Sequence, residues 1–416
     1  MGAVSGGNYS RIKALRWLRR ARRSRLAQAC YHAPPMPRSP QNQGGVAPKT
    51  TAFEVPGGKY FWGWLFDRGA RFWRGAGNFE SAVLRDYLDD VPIDRPIYVG
   101  GMARSGSTVI TEMISQHPAV TCHHYSDFPA VYIPFWWNWL RARMPLPEVE
   151  PEERAHRDRL EVTPDSPEAI EEVLWMHYLD GLHDRRKSNV LDASASHADF
   201  EKFYRDHIRK LLLVRERSRY VTKGNYNSSR VAYIHKLFPD AKFIIPVRHP
   251  IQHIASSMKQ DRLFSEGQEK SPRTREYLSW VGHFEFGVDK AAINLGDAAL
   301  AEEIGSLWDS DRPARGWGLY WSSLYGYLLD AMADSEALRK AALFVKYEDL
   351  CESTPEVIDN IIRHCELDPE AFAETRSFFI DHLTAPTYYT SGFSDHELED
   401  IRETTRDVAA RLGYEL

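Results

Sequence analysis

Short apolar runs bounded by turn residues alternate along the chain with longer stretches whose apolar positions recur every three or four residues. The runs 96–100 (PIYVG), 220–223 (YVTK), 242–247 (KFIIPV) and 343–347 (LFVKY) are rich in β-branched and aromatic residues and predict strands. Residues 107–116 and 167–182 carry helical spacing, the second with Ile170, Val173, Leu174, His177 and Tyr178 on one side. Residues 394–416 predict an acidic surface helix with Leu398, Ile401, Val408 and Leu412 turned inward. Strands interleaved with helices predict an α/β fold, a central parallel sheet flanked by helices. The aromatic-rich stretch 53–73 is expected to be packed, and no internal repeat is present.

Composition narrows the class. The chain has 416 residues, 43% hydrophobic and 27% charged, which excludes a disordered, collagen-like or low-complexity protein. Four scattered cysteines with no C-x-x-C pair point away from a structural zinc site or a disulfide scaffold, and reduced thiols make a cytoplasmic setting the default. The most apolar stretch, 131–140 (VYIPFWWNWL), is too short and too aromatic to span a bilayer.

Charge is uneven. Residues 1–50 hold ten Lys and Arg and no Asp or Glu, so the remainder carries 43 basic against 58 acidic residues, a balance of −15. Within that arm, 11–29 threads Leu, Ile and Trp among arginines, and 34–49 is a Pro/Gly/Gln linker. The reading is a basic, disordered arm over 1–50 and a single α/β domain over 51–416 with helical insertions and C-terminal helices. Residues 11–29 suit peripheral contact with an anionic membrane, nucleic-acid binding or a transit peptide, with a merely solvated arm as the plain alternative. No nucleic-acid partner is expected.

The sharpest local feature is 100–108, GGMARSGST, which follows a strand and opens a helix. A glycine-bearing turn into a helix N-terminus presents backbone N–H groups and the positive end of the helix dipole, an anion site. The plain alternative is a Gly turn with a serine helix cap. Gly101 and Gly106 have nucleoside-triphosphatase spacing and Thr108 supplies the hydroxyl, but Ser107 stands where the phosphate-clamping lysine belongs. The cation is instead Arg104, inside the loop, so the loop suits an anionic group without Mg·ATP machinery.

A second strand end reads KFIIPVRHPIQHIASS, with Arg248 just past the strand, Pro250 at a helix start and Ser256 two turns in. Ligands of open α/β sheets bind beyond the carboxyl ends of the strands, so Arg248 and Ser256 can share one phosphate, the arginine bidentately. A carboxylate partner for Arg248 and a plain helical Ser256 are the competing reading.

Together these segments resemble the sulfotransferases that use 3′-phosphoadenosine 5′-phosphosulfate (PAPS). GMARSGST is similar to their 5′-phosphosulfate loop, VRHPIQHIASS to their 3′-phosphate motif, and KYEDL (346–350) also recurs among them. The stretches YSDFP, KGNYNSSR and HFEFG are most similar to the broad bacterial-type members. The resemblance covers about residues 95–365 and implies a P-loop-like fold, PAPS as co-substrate and no metal. It implies cofactor contacts from Arg104, Ser105, Gly106, Ser107, Thr108, Arg248 and Ser256. It also implies that Arg104 and Lys223 stabilise the leaving phosphate.

The resemblance puts a glutamate about twenty residues beyond the loop arginine as catalytic base. Here the chain has His123 and His124, with Asp127 as an orienter. His124 is the first choice for the base, ahead of His123 and Asp127, with His283 and Glu285 more remote. The acceptor is expected to be a hydroxyl or amine of a carbohydrate, a glycolipid or another metabolite. Tyr132, Phe135, Trp136, Trp137 and Trp139 are either stacking residues for it or, more simply, core. Asn225 and Asn227 are hydrogen-bond candidates, and 148–159 is expected to cover the site as a charged helix or loop. The competing classes are a P-loop kinase or NTPase and a non-catalytic basic-arm adaptor on a degenerate scaffold.

Overall fold

The computed structural model of the chain describes residues 53–144, 152–153, 161–383 and 392–416. Both the basic stretch 11–29 and nearly all of 148–159 fall outside them. A five-stranded parallel sheet organises the described residues. Its strands are β1 (Ile97–Val99), β2 (Val120–Thr121), β3 (Arg219–Lys223), β4 (Lys242–Val247) and β5 (Ala342–Lys346). The order across the sheet is β2-β3-β1-β4-β5. β1 therefore lies in the middle, with Val99 in register with Lys223 on one side and Ile244 on the other. The α/β reading, a parallel sheet flanked by helices, holds.

Parallel strands bury both faces, and the side-chain alternation shows it. Tyr98, Tyr220, Phe243, Ile245 and Val247 enter one core, shared with Phe203, Tyr204, Ile254, Trp321 and Leu324. Their neighbours Ile97, Val99, Val221, Ile244 and Val345 enter the other, with Ile110, Met113, Ile114, Ile358 and Ile361. At about 1.5–3 kcal/mol for each large apolar side chain fully buried, these two layers supply the main force fixing the sheet. The loops at its carboxyl edge inherit their positions from it.

Two sequence expectations change. Residues 167–182 give helix only over Glu172–Tyr178. The backbone before it is committed elsewhere: Pro167 bridges His124, the Tyr125 N–H donates to the Ser166 carbonyl (3.1 Å), and the Glu168 N–H donates to the His123 carbonyl (2.9 Å). Those partners hold the segment extended, against its helical spacing. The aromatic stretch 53–73 is only partly packed. Phe66 is buried and stacks on Trp73 at 4.0 Å, while Phe61, Trp62, Trp64 and Phe72 stand out to solvent.

Candidate active site

Beyond Val99 the chain reverses through three left-handed positions, Gly101 (φ 95°), Arg104 (φ 74°) and Gly106 (φ 101°), and enters the helix Ser107–Ser115. Gly106 is the N-cap and no side chain caps that helix. The N–H groups of its first turn have no intrahelical acceptor, the arrangement that makes a helix start an anion site. Glycine at 106 is required twice: by its φ, and because an added Cβ would stand 2.6 Å from the Tyr347 ring. Arg104 is not a glycine, and left-handed backbone costs an L-residue about 1–2 kcal/mol, so neighbours must hold it.

Those neighbours come from the second motif. Pro250 opens the helix Pro250–Lys270 at its first position, and Ser256 is buried two turns in. The Arg104 Nε–H donates to Ser256 Oγ at 3.3 Å. One turn earlier, His253 Nε2 donates to the Ala103 carbonyl at 2.8 Å. Burial pushes the His253 imidazole down to about 3, and Arg248 and Arg104 nearby push the same way, so it is neutral when it makes that bond. Arg248 is buried, with its guanidinium 5.0 Å from the centre of the same Tyr347 ring that abuts Gly106. Glu348 accepts from the His249 N–H at 2.9 Å. Loop, Arg248–Ser256 segment and KYEDL tract therefore converge on one crevice.

The third wall is the end of β3. Lys223 Nζ donates to Thr108 Oγ1 at 3.1 Å. The Asn225–Ser229 turn that follows is buried from Tyr226 onward, and Ser228 Oγ accepts from the Gly101 N–H at 2.8 Å. The loop 100–108 is thus held near both ends by the stretch from Lys223 to Ser228. Asn225 Nδ2 donates to Glu285 Oε1 at 2.9 Å, and Asn227 is buried beneath Gly224. Glu285 Oε2 is buried without a hydrogen bond, 3.5 Å from His283 Nδ1.

His124 and Lys223 each lie three residues beyond the paired couple Thr121–Tyr220, past the carboxyl ends of adjacent strands. His124 is half-buried. Desolvation and the Arg215 guanidinium push its imidazole down to about 3, so it is neutral. His123 and Asp127 are buried and engaged elsewhere. Asp127 takes both oxygens to Arg215 at 2.7 Å, also accepts from the His124 backbone N–H at 2.9 Å, and lies 3.3 Å from His123 Nδ1. Burial opposes ionisation of Asp127, yet Arg215 and His123 hold its carboxyl well below the usual range. His123 Nε2 meets His207 Nε2 at 2.9 Å. This network occupies both groups and fixes the chain at His124. Among the aromatics, Tyr132 and Phe135 are buried as core, and Trp136 and Trp139 pack on a small cluster with Leu84 and Leu88.

Ser105 and Ser107 are buried in the loop with Gly106, and Thr108 meets Lys223. Of the residues singled out in the sequence, Arg104, Thr108, Lys223, Arg248 and Ser256 come together. His253, Tyr347 and Ser228 also build the site and were missed. His253 was accessible in principle, one turn before Ser256 on the same helix face. Tyr347 and Ser228 act through contacts that only the folded chain creates. The resulting site is rich in donors and cations, with Arg104, Lys223 and Arg248 gathered around one loop.

A sulfotransferase family profile matches residues 96–294, which span the loop, Lys223 and the Arg248–Ser256 helix. No curated protein matches the chain. Three solved structures resemble it at low identity. They are sulfotransferase STF9 from Mycobacterium avium (15% identity, 81% of this chain and 82% of that one, TM-score 0.45); sulfotransferase STF1 from Mycobacterium tuberculosis H37Rv (16%, 80% and 80%, 0.40); and a sulfotransferase domain from the curacin biosynthetic pathway (15%, 78% and 99%, 0.38).

Proposed function

We propose, from the match of residues 96–294 to a sulfotransferase family profile, that the crevice transfers a sulfuryl group from PAPS to a hydroxyl or amine of a carbohydrate, glycolipid or other metabolite. The observation that carries this reading is the Arg104–Ser256 contact, because it puts the loop suited to a 5′-phosphosulfate against the helix suited to a 3′-phosphate. When bound, PAPS supplies a sulfuryl group on a phosphate leaving group. The first-turn N–H groups of the Ser107–Ser115 helix and the Arg104 side chain hold the 5′ end. Lys223 adds a cation at the point where negative charge develops, in the preorganised manner that lowers barriers most. Arg248 and Ser256 take the 3′-phosphate, the arginine by a planar fork that Tyr347 supports from one face.

The acceptor proton goes to His124 in this reading. The imidazole is neutral and adds no charge to the crevice. Glu285 is the second reading, favoured by its buried, unbonded Oε2 and by Asn225, two residues past Lys223, on its other oxygen. A His124→Ala variant is expected to lose about 10²- to 10⁴-fold in kcat with donor affinity retained. If its kcat and pH–rate profile match wild type while Glu285→Gln loses turnover, the role passes to Glu285.

A thermal-shift titration tests the donor. Adenosine 3′,5′-bisphosphate at a hundred times its Kd is expected to stabilise the protein by about 2.7 kcal/mol, with Mg·ATP giving far less. Equal or greater stabilisation by Mg·ATP would favour a kinase-like nucleotide site and overturn the PAPS assignment.

A further inference from the structure

The helix Ala70–Val83 turns an apolar stripe outward. Phe72, Phe79 and Val83, spaced seven and four residues apart and so on one face, are 70%, 64% and 55% exposed. The preceding helix, Gly57–Arg68, adds exposed Phe61, Trp62 and Trp64. The rings are contiguous: Trp62 meets Phe66, Phe66 stacks on Trp73, and Trp73 meets Phe72 edge-on at 5.1 Å. Phe79 meets Trp136 at 5.9 Å, on the helix that ends near exposed Leu140 and Met144. Scattered exposed apolar residues are ordinary, but a connected group of this size on adjacent helices is the mark of an interaction surface.

The charges around it select the partner. Within the two helices the exposed ionisable residues are Lys59, Arg68 and Arg71, with Asp67 partly exposed, and Arg85 and Asp86 follow, both exposed. In the sequence, residues 1–50 add ten Lys and Arg and no acid, with Glu54 between them and the first helix. Large aromatics interleaved with more cations than anions match the boundary of an anionic lipid bilayer, where rings sit at headgroup depth and cations meet lipid phosphates. A second copy fits worse, because a two-fold contact through this stripe would set the same cations against one another.

We propose that the aromatic and basic face of the helices Gly57–Arg68 and Ala70–Val83 docks the protein on anionic membrane surfaces. The face is separate from the residues assigned to sulfuryl transfer, so the proposal stands or falls independently of that reading.

Co-sedimentation of the full chain with phosphatidylcholine vesicles, with and without about one-third phosphatidylglycerol, tests it. Partitioning onto the anionic vesicles is expected to exceed that onto neutral ones by about tenfold and to weaken with salt. Phe72→Ser/Phe79→Ser changes only exposed side chains and is expected to cut partitioning about tenfold, with an unchanged unfolding midpoint. Brominated lipids are expected to quench wild-type tryptophan fluorescence, and Trp62→Phe/Trp64→Phe to lose much of that quenching. Absence of binding to anionic vesicles would overturn the proposal. So would a double serine variant that binds like wild type, which would place binding in the basic arm alone. A wild-type dimer that becomes monomeric in the double serine variant, without vesicle binding, would assign the face to self-association and overturn it equally.

Discussion

A Lys223→Ala variant is expected to lose about 10²- to 10³-fold in kcat while binding adenosine 3′,5′-bisphosphate nearly as well as wild type. The lysine ends β3 in register with Val99, and its ammonium meets Thr108 on the first turn of the uncapped helix. An interaction that grows as charge develops on the leaving oxygen is missed in the transition state and hardly in the ground state, so the loss falls on kcat. Lys223→Arg is expected to restore little, since a planar guanidinium does not replace a compact ammonium on a short reach. Single-turnover kinetics isolates the chemical step. A normal rate there would remove Lys223 from catalysis.

The second large effect concerns affinity. Arg248→Ala is expected to weaken adenosine 3′,5′-bisphosphate binding by about 10- to 150-fold, the equivalent of ~1.5–3 kcal/mol for hydrogen bonds to a charged group. Arg248 is buried against Tyr347, so the fork is already oriented before a ligand arrives and little entropy is lost on binding. Adenosine 5′-phosphate, which lacks the 3′ group, is expected to bind wild type and variant alike. Calorimetric titration of both nucleotides gives the comparison. A variant that loses equally for both would show that Arg248 merely shapes the crevice, and unchanged affinity for the bisphosphate would refute the assignment.

Much of this was legible in the sequence where the governing physics is local. The strands were readable because parallel strands buried on both faces are continuous apolar runs, and 242–247 matches β4 residue for residue. The loop was readable because glycines and a helix start stand in a fixed order, and Arg248 with Ser256 because their spacing is set by one helix. The failures were tertiary. Helical spacing over 167–182 yielded to hydrogen bonds with 123–125. His124 ranked ahead of His123 in the sequence, but only the fold shows why His123 is a structural group: His207, 84 residues away, meets it, and Arg215, 88 residues from Asp127, holds the carboxylate beside it. The stretch 53–73 misled in the opposite direction, because aromatic density predicts burial on average but does not say which rings will find a core.

Under the proposed PAPS reaction, the anchorage of the loop 100–108 bears on turnover. Gly101 is tied to Ser228 and Thr108 to Lys223, so one short run of chain clasps the bend near each end, like a beam pinned at two supports. Such a beam cannot swing aside to discharge the spent nucleotide without dragging the lysine with it. Product departure then has to proceed past a stationary floor, with whatever motion it needs confined to the opposite bank of the crevice.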